Sequence, residues 1–239
     1  MTTHPNPHEF QKSADYYDRK YYRDVSQSPP MTRHLRRLAV KLGLGEGIRL
    51  LDIACGTGAW LRAVQGAGAL PYGIDISRHA AATCARSIGP DKVMVGTAEQ
   101  LPYRDGLFDV VTCLGALEHF LDQQQALAEM VRVAAPEGRF LILVPNAGFL
   151  TYRLGLYRGT HQVTHRETIY SLDKWENVFS RAGLTVEERW KDLHVFSFAW
   201  MLRKPWYAPP ARLLQAVLLL LWPLKWQYQV YHLCRRVTG

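Results

Sequence analysis

The chain has 239 residues, enough for one sizeable α/β domain with a full core, and its composition is that of an ordinary globular protein with no low-complexity tract. Residues 1–11 are polar and hold no apolar signal region, so secretion is not expected, and the four cysteines form no C-x-x-C pair, which reads as reduced, structural thiols in a cytosolic protein. The formal net charge of +8 favours anionic partners, either nucleic acid or an anionic membrane surface.

The elements follow in chain order. Residues 9–24 read as an amphipathic helical segment carrying Tyr16, Tyr17, Tyr21 and Tyr22, broken by Ser28-Pro29-Pro30. A helix over 31–43 places Leu35, Leu38 and Leu42 on one face, and Gly43 suits its end. The first strand, 49–55, runs into Gly56-Thr57-Gly58 and a helix to about residue 67. A strand over 70–76 leads to Ser77, a good N-cap for a helix through Ser87. Strands over 92–97 and 108–114 precede a helix over 122–135, with Leu127, Met130, Val131 and Ala134 at helical spacing. A strand over 139–144 closes at Pro145-Asn146. Residues 147–170 have weak periodicity and read as an acceptor-side insertion. Ser171 caps a helix that ends at Gly183, and 184 to about 196 reads as a strand. Strands alternating with helices predict a doubly wound, Rossmann-like parallel sheet, with ligands bound outside the carboxyl ends of its strands.

The Gly56-Thr57-Gly58 turn therefore sits at the site. The dinucleotide fingerprint needs a third glycine where this chain has Leu61, and no Gly-Lys-Ser/Thr follows for a P-loop. Asp52, on the strand before the turn, is a poor neighbour for a pyrophosphate and a good one for a cation. S-adenosylmethionine carries both an ammonium and a sulfonium. Asp75, ending the second strand, can accept hydrogen bonds from both ribose hydroxyls.

Six ordered motifs carry a resemblance over residues 48–145: Leu51-Asp52-Ile53-Ala54-Cys55-Gly56-Thr57-Gly58, Gly73-Ile74-Asp75-Ile76-Ser77, Gly96-Thr97-Ala98-Glu99-Gln100-Leu101-Pro102-Tyr103, Phe108-Asp109-Val110-Val111, Leu117-Glu118-His119-Phe120 and Arg132 to Gly138. This stretch resembles a class I S-adenosylmethionine-dependent methyltransferase of the ubiquinone/menaquinone-biosynthesis-like group, methyltransferase type 11. The resemblance implies a seven-stranded, mostly parallel sheet whose last strand is antiparallel. It implies that Gly56 and Gly58 lie against the methionine part, that Asp52 orients it and that Asp75 holds the ribose, with Ala54 and Ile76 also among the cofactor-binding residues. It further implies that Ala98 and Glu99 border the adenine and that Leu114 and Gly115 line the cofactor beside the transferred methyl. Thr97 stands where the family usually has an acid.

Methyl transfer is an in-line displacement, and a hydroxyl acceptor needs a base. His119, after the fourth strand, and His165, in the insertion, are the candidates; surface or lid packing is the competing reading for each. His161 and His165 have metal-ligand spacing, but no third ligand is apparent, and no metal is expected. Glu118 reads equally as a satisfied polar group or a site acid, and Asp109 as structural. Tyr17 and Tyr21 share one helical face and are assigned to the cofactor side of a lid, with plain packing as the alternative.

Beyond Asp192 the chain has no Asp or Glu, while Arg203, Lys204, Arg212, Lys225, Arg235 and Arg236 remain. Residues 213–222 are apolar nearly all round, yet ten residues at ~1.5 Å each cannot cross a ~30 Å hydrocarbon core. After Pro223, Lys225, Gln229, His232 and Arg236 form a polar helical stripe opposite Trp226, Val230 and Leu233. The expected organisation is thus N-terminal lid helices (1–45), a cofactor-binding domain (46–200, with the 147–170 insertion) and an apolar and amphipathic helical tail (201–239). The tail suits an anionic membrane interface, with its own core or a homodimer seam as alternatives, and nucleic acid is disfavoured because a large apolar surface matches phosphate poorly. The expected location is cytoplasmic, peripheral at the inner face of a membrane. The acceptor is then a lipid-borne or amphipathic small molecule, such as a quinone precursor or lipid-linked sugar, methylated on oxygen or carbon. A soluble glycan or secondary metabolite is the competing acceptor, and a catalytically silent cofactor-binding partner the competing protein class.

Overall fold

The computed structural model describes residues 7–153, 167–193 and 221–237. Helix α1 (Pro7–Tyr16) continues into a single π-turn (Tyr17–Tyr21), and α2 (Arg33–Lys41) follows. Five parallel strands come next, β1 (Arg49–Ile53), β2 (Leu70–Asp75), β3 (Val93–Val95), β4 (Phe108–Leu114) and β5 (Ala134–Pro145). Between them run α3 (Ala59–Gly66), α4 (Arg78–Ile88) and α5 (Gln123–Val133). A short α6 (Leu150–Arg153) precedes α7 (Leu172–Arg181), β6 (Leu184–Lys191) and β7 (Gln229–Arg236). The strands form one seven-stranded sheet in the order β3-β2-β1-β4-β5-β7-β6.

Local chemistry sets the helix starts. The side chains of Thr32, Ser77, Asp122 and Ser171 accept hydrogen bonds from the amides of Leu35, Ala80, Gln125 and Lys174, each satisfying an orphan donor of the first turn. The sheet is covered on both faces. Leu50, Val110, Leu141 and Leu143 pack under α2, α3 and α4, while Leu51, Ile53, Val111, Phe140 and Ile142 pack under α5 and α7. Burial on both faces is what drives a parallel sheet. Asp109 accepts from the Arg49 amide and guanidinium, and Arg132 ties Leu101 and Tyr103 to α5 through their carbonyls; both are structural residues.

The expected helical tail is corrected over its last part. Residues 229–236 are a strand, antiparallel to both β5 and β6 and seated between them. Val230, His232 and Cys234 are buried on the α7 face and Tyr231 on the α2 face. A strand buried on both faces has no polar–apolar alternation, so its scattered polar residues imitate a helical stripe. His232 is wholly buried, edge-on to Phe179, and burial pushes its imidazole down to about 4. The tail boundary at 201 thus falls inside the sheet-forming chain. Residues 194–220, which include the apolar stretch from 213, lie outside the described residues. Among the described residues no helix is long and apolar enough to cross a membrane.

The strand order reverses between β1 and β4, so the loops leaving these two strands diverge and open a crevice at their carboxyl ends.

Candidate functional site

Asp52 lies on the α3 face of β1, directly paired in register with Thr112 on β4. The Trp60 indole N–H donates to Thr112 Oγ1 at 3.1 Å, and the Thr112 hydroxyl donates to Asp52 Oδ1 at 2.6 Å. This relay fixes the carboxylate. Burial pushes Asp52 up to about 7 despite the Thr112 bond, and among the described residues no cation pairs with it. After Ile53 the chain turns sharply. Ala54 has φ +57, the sole non-glycine among the described residues with positive φ, a strained value of the kind that clusters at ligand sites. Gly58, at φ +86, caps α3; a Cβ there would lie 2.5 Å from Cys84 Sγ.

Asp75 ends β2 on the other side of the turn. Its Oδ2 accepts from the Gly56 amide at 2.7 Å and its Oδ1 from the Ser77 amide at 2.8 Å. The turn amide that would face a phosphate in a nucleotide site thus faces a carboxylate. Burial raises Asp75 to about 6 against these two bonds. Each carboxylate oxygen keeps lone-pair capacity for one further donor.

A cavity of about 230 Å³ lies beside Asp75. Ala54, Ile76, Ala98, Glu99, Leu114, Gly115 and His119 line it, together with Tyr17 and Tyr21 from the N-terminal segment. Glu99 turns its carboxylate to the amides of Leu121 and Asp122, which fastens the loop before α5. Thr97 is also on the wall. The one-residue dilation of the π-turn changes which tyrosines meet. Tyr21 packs edge-on to both Tyr17 and Tyr22, with ring centroids 5.6 and 4.8 Å away. Tyr22, one of the four tyrosines of the segment but not among the two assigned to the cofactor side, is the one that meets the turn: its hydroxyl would be 2.9 Å from a Cβ at Gly56, so the glycine keeps room for it. Tyr22 shows no distinguishing signal in a helical reading, because 3.6-residue spacing puts Tyr17 and Tyr21 together. The segment is held down by Asp18, which accepts from Ser77 Oγ at 2.5 Å and from the His79 amide at 3.1 Å.

Asp52, Gly56 and Gly58 line a second cavity of about 340 Å³. Ala54 and Leu114 are common to both cavities, so the two meet at the carboxyl ends of β1 and β4. His165 and His161 lie outside the described residues. Glu118 is buried beside the site, Oε2 has no hydrogen-bond partner among the described residues, and burial pushes its carboxyl up to about 8. All four cysteines are buried and free, and among the described residues no cluster of His, Cys, Asp and Glu could hold a metal.

Residues 51–142 match the methyltransferase domain family. The chain is 32% identical over 154 residues to the uncharacterized methyltransferase YcgJ of Bacillus subtilis, covering 59% of this chain and 58% of that protein. It is 31% identical over 150 residues to the demethylmenaquinone methyltransferase of Anoxybacillus flavithermus, covering 56% and 59%. The chain thus spans under two thirds of the length of these relatives. Among solved structures, magnesium protoporphyrin IX methyltransferase of Synechocystis PCC 6803 with bound SAH superposes with a TM-score of 0.61 at 16% identity, over 95% of this chain and 99% of that one, a likeness of fold.

Proposed function

We propose that this chain, whose residues 51–142 form a methyltransferase domain on the class I S-adenosylmethionine-dependent fold, transfers a methyl group from S-adenosylmethionine to an oxygen or carbon of a lipid-borne or amphipathic small molecule. The observation that carries the reading is the pair of buried carboxylates, Asp52 and Asp75, on either side of a glycine turn whose amide is already given to Asp75. Such a site rejects a pyrophosphate and suits a cation carrying hydroxyl donors. When bound, the cofactor supplies an electrophilic methyl on a sulfonium.

The chain's own residues then divide the work. Asp52, steadied by Thr112 and Trp60, holds the ammonium end. Asp75 accepts from the ribose hydroxyls with the lone pairs left after Gly56 and Ser77. Ile76, Thr97 and Ala98 border the adenine, and Gly56 and Gly58 let the main chain approach the methionine part. Tyr17, Tyr21 and Tyr22 close over the cavity and exclude water. His119 stands on the same wall. Demethylmenaquinone methyltransferases among the relatives support a quinone-like acceptor.

Incubation with methyl-labelled S-adenosylmethionine and a membrane lipid extract tests the reading. Label is expected in the lipid fraction and strongly reduced with Asp52→Asn. Tight cofactor binding with no label in any lipid would sink the lipid-borne acceptor.

A further inference from the structure

Helix α2 divides its residues sharply by face. Leu38, Ala39 and Leu42, which follows its last turn, are buried in the core, and Leu35 packs beside them. At 3.6 residues per turn Arg33, Arg36, Arg37, Val40 and Lys41 fall on one outward arc, and all five are exposed. On the flank between the two faces, His34 Nε2 lies 3.0 Å from Tyr231 Oη and 3.4 Å from Asp192 Oδ1, which fastens the helix to β7 and to the end of β6. Lys41 pairs with Glu188 at 2.6 Å. Among the described residues no carboxylate pairs with Arg33, Arg36 or Arg37. The chain has no Asp or Glu between Asp24 and Glu46.

Folding does not call for this arrangement. Arg33 opens the first turn, where the free N–H groups make the helix end positive and favour an acid; the turn has none. Arg33 stands three residues before Arg36 and four before Arg37, and Arg37 stands four before Lys41. Like charges at these spacings face each other along a helix and destabilise it. An anionic surface laid against the arc offsets all of these costs. Val40, 78% exposed, stands among the cations. A duplex backbone offers such a residue nothing, whereas the headgroup layer of a bilayer takes an apolar side chain among arginines whose own stems are apolar. The helix also begins at the site, since His34 and Leu35 line the same cavity as Asp52, Gly56 and Gly58.

Resting on the lipid-borne acceptor of the proposed function, we propose that the outward arc of α2 docks this protein on an anionic phospholipid surface. The contact is electrostatic and peripheral, because the apolar face of the helix is already buried in the core. It brings the carboxyl-end edge of the sheet, where the cofactor residues lie, beside the bilayer from which the acceptor enters.

The test is flotation of the full chain with vesicles of phosphatidylcholine, alone or with about one third phosphatidylglycerol, at low and high salt. Binding to the anionic vesicles alone, weakened by salt, is the expected result. Arg36→Gln with Arg37→Gln is expected to lower the bound-to-free ratio by about tenfold or more. Lys174→Gln with Arg181→Gln removes the same charge from α7, on the opposite face of the sheet, and is expected to leave that ratio within about twofold. Equal losses from the two pairs would overturn the proposal, since net charge alone would then act. A fluorophore attached at Val40→Cys reads the contact directly, because all four native cysteines are buried. Its emission is expected to move to the blue on anionic vesicles. Unchanged emission from vesicle-bound protein, or a shift produced by duplex DNA and not by vesicles, would equally overturn the docking. The methyl-transfer reading is tested apart from it, by calorimetry with S-adenosylhomocysteine and no vesicles. Loss of cofactor binding by the unsubstituted chain sinks that reading, label in no lipid sinks the lipid-borne acceptor, and cofactor binding without flotation sinks the docking alone.

Discussion

Asp52 is a carboxylate kept out of water with a hydroxyl for company, and its chemistry follows from that. Its carboxyl is pushed up to about 7, so the unloaded protein holds a proton there through most of the acid range. A cationic ligand favours the ionised form. Affinity for S-adenosylmethionine is therefore expected to rise with pH and level off above about 7, as measured by calorimetry across pH 5.5 to 8.5 ~ in steps of half a unit. Asp52→Asn should weaken binding by about tenfold or more and flatten that dependence. Glu118 makes a second prediction. Its folded value of about 8 lies above the ordinary 4.5, so the folded state holds the proton that the unfolded chain has already lost. The stabilisation is complete below 4.5 and declines as pH rises through 8. His232, lowered to about 4, acts in the opposite sense: its neutral form costs stability as pH falls below 6.5, so the Glu118 effect stands clear of it above that pH. Melting temperature should fall between pH 7 and 8, and Glu118→Gln should remove much of that fall. An unchanged slope in the variant would refute the assignment.

At the scale of elements, the N-terminal segment shows how a small change of helical pitch redirects chemistry. An α-helix through 9–24 would align Tyr17 with Tyr21, whereas the π-turn bonds the Tyr22 amide to the Tyr17 carbonyl at 2.8 Å and delivers Tyr22 to Gly56. No residue in the segment marks that dilation, because a π-turn is set by what the helix packs on. Asp18 is its anchor, doubling as a cap for α4 at Ser77 and His79. Asp18→Ala is expected to cost about 1 kcal/mol in chemical denaturation. It should also speed proteolytic cleavage before Arg33 several-fold and weaken cofactor binding, while Tyr16→Phe, away from the anchor, leaves all three unchanged. The helices with Thr32, Ser77, Asp122 and Ser171 at their starts were by contrast readable in the sequence, because an N-cap is a contact between residues three apart.

For the whole molecule, the decisive element is β7. It lies inside the sheet, bonded to β5 on one side and β6 on the other, and it carries the Tyr231 that faces His34. A chain ended near Pro205 loses this strand and leaves two buried sheet edges unpaired. Such a truncation is expected to be insoluble or molten, with lost near-ultraviolet circular dichroism, and so cannot serve to test membrane binding. Flotation with anionic liposomes should instead compare the full chain with Arg203→Glu and Lys204→Glu substitutions. Binding unaffected by the charge reversal would argue against an electrostatic membrane contact through these residues.

What the sequence alone determined is the half of the site built from neighbours: the Asp52 strand, the glycine turn, Asp75, and the wall residues Ala98, Glu99, Leu114 and Gly115. Each lies at the carboxyl end of a strand or a few residues past it, so a parallel sheet delivers all of them to one edge whatever the remaining packing. Tertiary structure decided the other half. His34, Asp192 and Tyr231 meet across 197 residues of chain, and no local spacing encodes that meeting. Nor could periodicity reveal β7, since a strand buried on both faces has no solvent side to impose alternation. The Asp52 and Asp75 part of the site is thus written in short-range pattern, and the His34, Asp192 and Tyr231 part in the pairing of β7 with β5 and β6, which places Tyr231 beside α2.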